Sequence, residues 1–227
     1  MCRLITVGTG SSGNTYLLQC GDEVLVLDCG MRFMDVKKAL KFNIRGIVGA
    51  IVTHTHGDHH AFAHEYERAG IPVWKPYEAE SLRQSRQMGG FSVQSFPVTH
   101  SVPTVGYLIG HERLGKMLYV TDTEYVKYRF RDLNVILIEC NWSEEFVNKS
   151  ESKYHHVLTG HMNLQTCIGV IEANKNKHLR QVVLCHISSS NGDPEMFRRS
   201  VKGVVGPFTD VKVAEPGTEI DLREIPF

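Results

Sequence analysis

Short apolar runs recur along the chain, and most of them end in a turn or a cluster of polar residues. Runs of about four to eight apolar or alternating residues, bounded by glycine and turn residues, predict β-strands. We predict strands at residues 4–7, 16–20, 24–27, 49–52, 73–74, 91–98, 106–109, 116–120, 135–138 and 181–184, with two more within 211–222. Helices are predicted between them at 33–40, 58–69, 78–87 and 164–172, the last with Asn163 as its N-cap. This alternation predicts an α/β fold, and we expect a single domain over residues 1–227.

Metal-ligating side chains follow several predicted strands directly. The strand at 49–52 runs into three histidines and an aspartate within six positions, and other strands end near a histidine or an aspartate. Imidazole nitrogens and carboxylate oxygens are ligands for zinc and similar ions. Because strand ends meet at one edge of a sheet, we expect one site there. Its candidate residues are His54, His56, Asp58, His59, His100, Asp122 and His186.

Composition limits the alternatives for the 227-residue chain. Lys plus Arg and Asp plus Glu number 25 each, so bulk charge gives no argument for nucleic-acid binding, although a local patch or bound cations can still attract an anion. Six cysteines lie in apolar runs without CxxC spacing, which predicts reduced core thiols. No apolar run approaches the roughly 20 residues of a membrane span, and no signal sequence is evident. We expect a cytoplasmic protein with no membrane association and no obligate protein partner.

The histidine-rich turn resembles the signature of the metallo-β-lactamase-fold hydrolases, and the later candidates follow in the ligand order of that family. The resemblance extends over nearly the whole chain and implies a four-layer αββα sandwich. It also implies seven ligands for two metal ions: His54, His56 and His100 for the first, Asp58, His59 and His186 for the second, and Asp122 bridging both.

The donor types indicate the chemistry of such a site. Imidazoles and carboxylates suit Zn²⁺, with Mn²⁺ as the alternative. Two divalent ions would bring four positive charges, and Asp58, Asp122 and a bridging hydroxide would return three, so the site would attract an anion. Paired ions can activate a shared water for attack on phosphorus. We therefore expect a metal-dependent phosphodiesterase with a metal-bridging hydroxide as nucleophile, oriented by Asp58.

Three shorter stretches resemble the YycJ/WalJ branch, cytosolic enzymes associated with single-stranded DNA exonuclease activity. They are Gly10-Ser11-Ser12-Gly13-Asn14, Glu139-Cys140-Asn141 and Gly160-His161-Met162-Asn163, the last in place of the usual His-Leu-Ser-Asn run. This resemblance implies single-stranded DNA as the substrate. We assign a catalytic role to His161 beside Asp58, as donor to the scissile phosphate or leaving oxygen. Ser11, Ser12 and Asn14 are predicted to bind a terminal phosphate.

Other functions remain open at this point. The same hydroxide can attack a carbonyl, so the substrate is alternatively a small ester, thioester, lactone or cyclic nucleotide. His60-Ala61 replaces the Gly-Gly of the thioesterases, and aspartate at Asp122 disfavours the antibiotic-hydrolysing enzymes. A transfer-RNA 3′-processing-type nuclease is another alternative, although no insertion for a substrate-clamping arm is evident. The non-enzyme alternative is a metal-binding regulatory module, which the complete ligand set disfavours.

Residues outside this set are given simpler roles. Asp28 is predicted to orient a histidine or a loop amide. Six histidines are predicted to be solvated: His60, His64, His111, His155, His156 and His178. A basic and aromatic set forms a candidate track for single-stranded nucleic acid: Arg83, Arg86, Lys127, Tyr128, Arg129 and Arg131.

Overall fold

The computed structural model describes residues 1–147 and 160–222, and its strands form two sheets. The strands are β1 Cys2–Gly8, β2 Thr15–Cys20, β3 Glu23–Leu27, β4 Ile47–Ile51, β5 Val73–Trp74, β6 Ser85–Met88, β7 Phe91–Val98, β8 Thr104–His111, β9 Gly115–Val120, β10 Leu133–Glu139, β11 Gln181–Cys185, β12 Asp210–Val213 and β13 Glu219–Asp221. The described helices are α1 Phe33–Ala39, α2 Gly57–His60, α3 Ala63–Arg68, α4 Leu164–Asn174 and α5 Pro194–Val205. The first sheet has the order β13-β1-β2-β3-β4-β5, and the second β12-β11-β10-β9-β8-β7-β6.

A hydrophobic core fills the space between the two sheets. Leu18 and Leu25 of the first sheet belong to the same buried cluster as Val135 and Val183 of the second. Successive side chains of a strand point to opposite faces, so the next residue along each strand faces outward instead. Both faces of the strands must therefore be covered, which explains why their sequences are almost continuously apolar.

Helices cover the two outer faces. Val26 of the first sheet packs in one cluster with Tyr66 of α3. Ile136 of the second sheet packs in another with Ile171 of α4 and Phe197 of α5. The layers therefore run helix, sheet, sheet, helix, which confirms the αββα sandwich predicted from the resemblance.

The helix predicted at 78–87 is wrong. A single 3₁₀ turn at Pro76–Glu78 is followed by β6, which pairs antiparallel with β7 from Ser85 opposite Gln94 to Met88 opposite Phe91. Gly89 has a φ of 54°, the left-handed conformation that hairpin turns require. The pairing of residues 85–88 with β7 therefore outweighs the helical propensity of this segment.

Two other helices differ from the prediction. The segment predicted as one helix at 58–69 divides into α2 and α3, because the amide of Phe62 donates to the carbonyl of Cys29 at 3.0 Å. Helix α5 was not predicted, although its start carries a readable signal. Asp193 caps it by accepting from the amides of Glu195 and Met196, and proline occupies the first position.

The remaining histidines are mostly placed as predicted. His64 and His178 are exposed, and His60 is half-buried. The prediction for His111 is wrong: only 6% of its side chain is exposed, because β8 extends to this residue and its ring lies 4.8 Å from that of Phe91. His155 and His156 lie outside the described residues. The six cysteines are buried and form no disulfide. Among the helices within residues 1–147 and 160–222, none has the length and apolar character needed to cross a bilayer.

Candidate metal centre

The seven predicted ligands meet at one end of the sheets. Each lies just beyond the carboxyl end of β4, β7, β9 or β11, where the chain turns away from the sheet. The ligand atoms form two groups, and within each group they all lie within 4.8 Å of one another. Asp122 belongs to both. The first group is His54, His56, His100 and Asp122, and the second is Asp58, His59, Asp122 and His186.

Three imidazole nitrogens converge in the first group. Nδ1 of His56 lies 3.1 Å from Nε2 of His54 and 3.1 Å from Nε2 of His100. Oδ2 of Asp122 lies 3.8 and 3.9 Å from the same two Nε2 atoms. An ion with tetrahedral bonds of about 2.0 Å separates its ligands by about 3.3 Å. The group therefore has the donor types and the dimensions of a zinc-like site.

The second group contains an unsatisfied nitrogen. Nε2 of His59 lies 3.4 Å from Oδ2 of Asp58 and 3.2 Å from Oδ1 of Asp122. Nε2 of His186 lies 3.7 Å from the same Asp58 oxygen, is buried, and has no hydrogen-bond partner. Because buried polar atoms are rarely left without a partner, a cation here would remove an unfavourable feature. The residues present fit two divalent ions.

Three of the ligands, His54, Asp58 and Asp122, have the protonation states that metal binding requires. Burial, reinforced by His59, lowers the pKa of His54 to about 2, so its imidazole is neutral. Burial raises the pKa of Asp122, but His186 and His59 outweigh it and hold this pKa well below its ordinary value. The neighbouring imidazoles of His186 and His59 likewise outweigh burial at Asp58 and lower its pKa. Burial lowers the pKa of His59 and of His186, but the carboxylate of Asp122 outweighs it and raises both pKa values, so an ion would displace protons from these two imidazoles. Neutral imidazoles and ionised carboxylates are the forms that bind metals.

Asp28 and Thr53 orient two of the histidines from behind. Oδ2 of the buried Asp28 lies 2.8 Å from Nδ1 of His59 and also accepts from the hydroxyl of Tyr119. Oδ1 of Asp28 accepts from the amide of Thr53 at 2.7 Å, and Oγ1 of Thr53 lies 3.0 Å from Nδ1 of His54. Engaging each Nδ1 turns the opposite nitrogen toward the centre. Asp28 was predicted to orient a histidine or a loop amide, and it makes contacts that suit this role.

Glu139 received no role from sequence reasoning. It ends β10 and is fully buried, with Oε1 2.7 Å from Nδ1 of His161 and 2.9 Å from Nδ1 of His186. Oε2 accepts from the amides of Thr123 and Met162, each at 3.2 Å. Glu139 could also ligate an ion, together with Asp122, His161 and His186. Because both its oxygens already accept hydrogen bonds, we assign it instead to orienting the two histidines. Its signal was the same as that of the ligands: a charged residue at the end of an apolar strand.

His161 stands at the solvent side of the centre. Its side chain is 18% exposed, and Nδ1 lies 4.0 Å from Oδ2 of Asp122. Burial lowers its pKa, but the carboxylate of Glu139 outweighs burial and raises the pKa above the ordinary value. A partly exposed imidazole with a raised pKa beside the ligands has the chemistry of a proton donor.

Three residues of this region have a left-handed backbone although none is glycine. The φ angles are 60° for Asp28, 48° for Asp122 and 51° for His186. Such conformations cost on the order of 1 kcal/mol and persist where surrounding contacts enforce them. They let each chain segment leave its strand while its side chain stays directed at the centre.

The glycine- and serine-rich loop divides into a buried and an exposed part. Asn14 is fully buried, with Oδ1 accepting from the amide of Gly10 at 2.9 Å and Nδ2 lying 2.9 Å from Nε2 of His59. These contacts direct Asn14 at the metal centre rather than at solvent. Ser11 and Ser12 are exposed, so they are the members of the loop that a substrate can reach.

The predicted basic track comes together only in part. Arg83, Tyr128 and Arg129 line one surface cavity of about 460 Å³. Two aromatic residues that sequence reasoning missed, Phe96 and Phe130, line it as well, with ring centroids 4.8 Å apart. We call this cavity the aromatic groove.

Of the remaining members of the track, Lys127 lies close to the aromatic groove. Nζ of Lys127 lies 5.4 Å from the centroid of the Tyr128 ring, and the guanidinium of Arg83 lies 5.0 Å from the same centroid. Arg86 and Arg131 are exposed but do not line the cavity.

Comparison with known proteins shows which superfamily the chain resembles. Residues 8–87, which contain the histidine-rich turn, match the Metallo-beta-lactamase superfamily. Over these residues, the chain is similar to that superfamily. The crystal structure of the metallo-beta-lactamase fold protein YhfI from Bacillus subtilis superposes with a TM-score of 0.74 at 18% sequence identity, covering 96% of this chain and 98% of that one.

Two named relatives align with most of this metallo-β-lactamase-fold chain. Exodeoxyribonuclease YycJ from Bacillus anthracis is 24% identical over 88% of this chain and 87% of its own length. Exodeoxyribonuclease WalJ from Streptococcus pneumoniae is 21% identical over 96% of each chain. The resemblance to the YycJ/WalJ branch is therefore confirmed, and the chain is a metallo-β-lactamase-fold hydrolase whose described residues include two groups able to hold metal ions.

Proposed function

We propose that the protein is a dinuclear-metal-dependent phosphodiesterase that shortens single-stranded DNA from an end. The observation that carries the proposal is the sharing of Asp122 by two ligand groups. Two adjacent cations form a site for an anion, and phosphodiester hydrolysis is a reaction that such pairs catalyse. The names of the two exodeoxyribonuclease relatives direct the proposal to DNA. The single domain over residues 1–227 and the cytoplasmic location remain predictions.

The seven ligands would hold two zinc ions, with manganese as the alternative. His54, His56 and His100 would hold the first ion, Asp58, His59 and His186 would hold the second, and Asp122 would serve both. When bound, the ions supply positive charge that activates a water molecule and offsets the charge of the phosphate.

The chain's own groups supply the remaining steps. The side chain of Asp58 is 23% exposed, so its carboxylate can accept a hydrogen bond from the attacking water while it serves as a ligand. His161 donates a proton to the departing oxygen, and Glu139 keeps its ring in place at 2.7 Å. Ser11 and Ser12 bind the terminal phosphate from the exposed part of their loop.

The aromatic groove supports a single strand as the substrate. Unpaired bases stack on aromatic rings, and arginines hold the phosphates that follow them. The groove has the half-buried rings of Tyr128 and Phe130 beside Arg83 and Arg129. Strand β7, which contributes the buried Phe96, leads directly to the metal ligand His100. A strand lying in the groove would therefore have its end near the centre.

Digestion of end-labelled single-stranded DNA tests this function. The protein is chelated, reloaded separately with zinc or manganese, and compared with Asp58→Asn and with Glu80→Gln, a control at an exposed acidic residue. We expect metal-dependent shortening that the Asp58 variant loses by about a hundredfold or more and the control keeps. The order in which labelled fragments appear gives the direction of digestion.

Other outcomes lead to the alternatives. Two bound ions without DNA cleavage would contradict the nuclease and direct the search to a small ester, thioester, lactone or cyclic nucleotide. Cleavage restricted to the 3′ end of precursor transfer RNA would indicate a transfer-RNA-processing enzyme. Metal binding without any hydrolysis would support the regulatory module.

A further inference from the structure

A second cluster of metal-ligating residues lies at the end of the sandwich opposite the metal centre. Cys2 begins β1, Cys20 ends β2, and His111 ends β8. The centre lies beyond the other ends of the same three strands, near the loop that joins β1 to β2 and near His100 before β8. The three residues therefore share no ligand with the dinuclear centre.

The three side chains are close together and shielded from solvent. Their two sulfur atoms and one ring nitrogen lie within 4.8 Å of one another. Cys2 and Cys20 face each other as partners in the β1–β2 ladder, and they are 0% and 3% exposed. His111 belongs to the second sheet, so the cluster joins the two sheets across the core between them.

Two charged groups accompany the cluster. Oε2 of Glu23 lies 4.0 Å from Nε2 of His111 and is held by the amide of Gly90 at 2.7 Å. Arg180, whose side chain donates to the carbonyl of Leu114 at 2.9 Å, interacts electrostatically with Cys2. Two thiolates and Glu23 bring three negative charges, and Arg180 with a divalent ion brings three positive charges. The thiolates and Glu23 would therefore attract a divalent ion to this cluster.

We propose that Cys2, Cys20 and His111 form a structural site for a zinc-like ion, beside which Glu23 supplies a further carboxylate. Two sulfurs and an imidazole form the donor set of tetrahedral zinc sites, whereas calcium and magnesium prefer oxygen. An ion here ties β1 and β2 of the first sheet to β8 of the second. Such a link stabilises the folded chain because the unfolded chain lacks the preformed site.

Cobalt binding tests the site on the complete protein. Cobalt bound by thiolates gives an intense sulfur-to-metal absorption band, and the dinuclear centre cannot produce this band because its ligands are only nitrogen and oxygen. We expect the chelated wild-type protein, titrated with Co²⁺ alone, to develop the band and to hold one ion more than the centre holds. Cys20→Ala and His111→Ala should each weaken binding at this site by tenfold or more. Cys167→Ala, which removes another buried thiol on α4, should keep the band.

The outcomes separate this site from the proposed function. A wild-type protein without the sulfur-to-cobalt band overturns the site directly, even if the cysteine variants fail to fold. A band that survives in Cys20→Ala, or one that disappears in Cys167→Ala, overturns the assignment of ligands. Metal-dependent DNA cleavage is measured separately, and His111→Ala should retain it.

Discussion

At the scale of single residues, Glu139 is the group whose role is most open to test. Its carboxylate lies within hydrogen-bonding distance of two imidazole nitrogens and accepts from two backbone amides, so both of its oxygens have hydrogen-bond partners. Glu139→Gln keeps the shape but replaces one oxygen with a donor. The new side-chain NH₂ group would face either Nδ1 of His161 and His186 or the backbone amides of Thr123 and Met162. In both cases a donor would replace an acceptor oxygen of the carboxylate. We expect affinity for the second ion to fall about 10- to 100-fold.

Titration of the chelated variant with zinc measures this effect. Glu145→Gln serves as the matched control, because Glu145 is exposed. Full metal affinity in the Glu139 variant, together with unchanged hydrolysis, would contradict the orienting role.

The ligand residues were predictable from the sequence where they directly follow a strand. His54, His100, Asp122 and His186 share one pattern, a ligand just after an apolar run, and the structure brings them together. Glu139 has the same pattern and was available to the same reasoning. His111 was not, because its burial depends on pairing with β9 and on the ring of Phe91, neither of which is local to it.

At the scale of elements, the close packing of the β3–α1 turn against α2 predicts a sensitive position at Gly30. A Cβ atom added there would lie 1.8 Å from the carbonyl oxygen of Asp58 and 2.6 Å from the amide of Asn14. Both neighbours are backbone atoms, so one segment must move. We expect Gly30→Ala to displace Asp58 and weaken the second metal site, with a loss of stability of about 1–3 kcal/mol.

Thermal unfolding and metal titration check this prediction. Gly169→Ala is the matched control, since a Cβ at this exposed position on α4 meets nothing within 4 Å. The control should gain up to about 1 kcal/mol of stability, because alanine favours the helix over glycine. A Gly30 variant with wild-type stability and two bound ions would show that α2 tolerates the shift.

Element boundaries were predictable wherever the pattern was local. The β2–β3 hairpin and α4 with its Asn163 cap were predicted from the sequence. The start of α5 also carries a local signal, Asp193 followed by Pro194. The segment at 78–87 was different. Its polar sequence favours no strand by itself, and it becomes β6 because β7 offers a free edge across the Gly89-Gly90 turn.

At the scale of the whole molecule, the distribution of charge matters more than its sum. The chain has no net formal charge. The resemblance supplied the four-layer architecture and the order of the ligands. The aromatic groove could not be predicted fully, because Phe96 lies on β7 and Phe130 lies in a segment 34 positions later. Packing brings them beside Arg83 and Arg129, so a chain without net charge still has two positive charges next to aromatic rings.

This arrangement predicts how DNA binding depends on salt. Each phosphate contact with a single strand contributes about −0.7 to the slope of log affinity against log salt. Replacing Arg83 and Arg129 with glutamine should therefore reduce the magnitude of the slope by about 1.4 and weaken binding most at low salt. The measurement is fluorescence anisotropy of labelled single-stranded DNA across a salt series, with metals chelated to prevent cleavage. Arg45→Gln with Arg68→Gln is the matched control, because both residues are exposed and lie outside the groove. Equal slopes for the two double variants would exclude the groove as the path of the strand while leaving the metal centre unaffected.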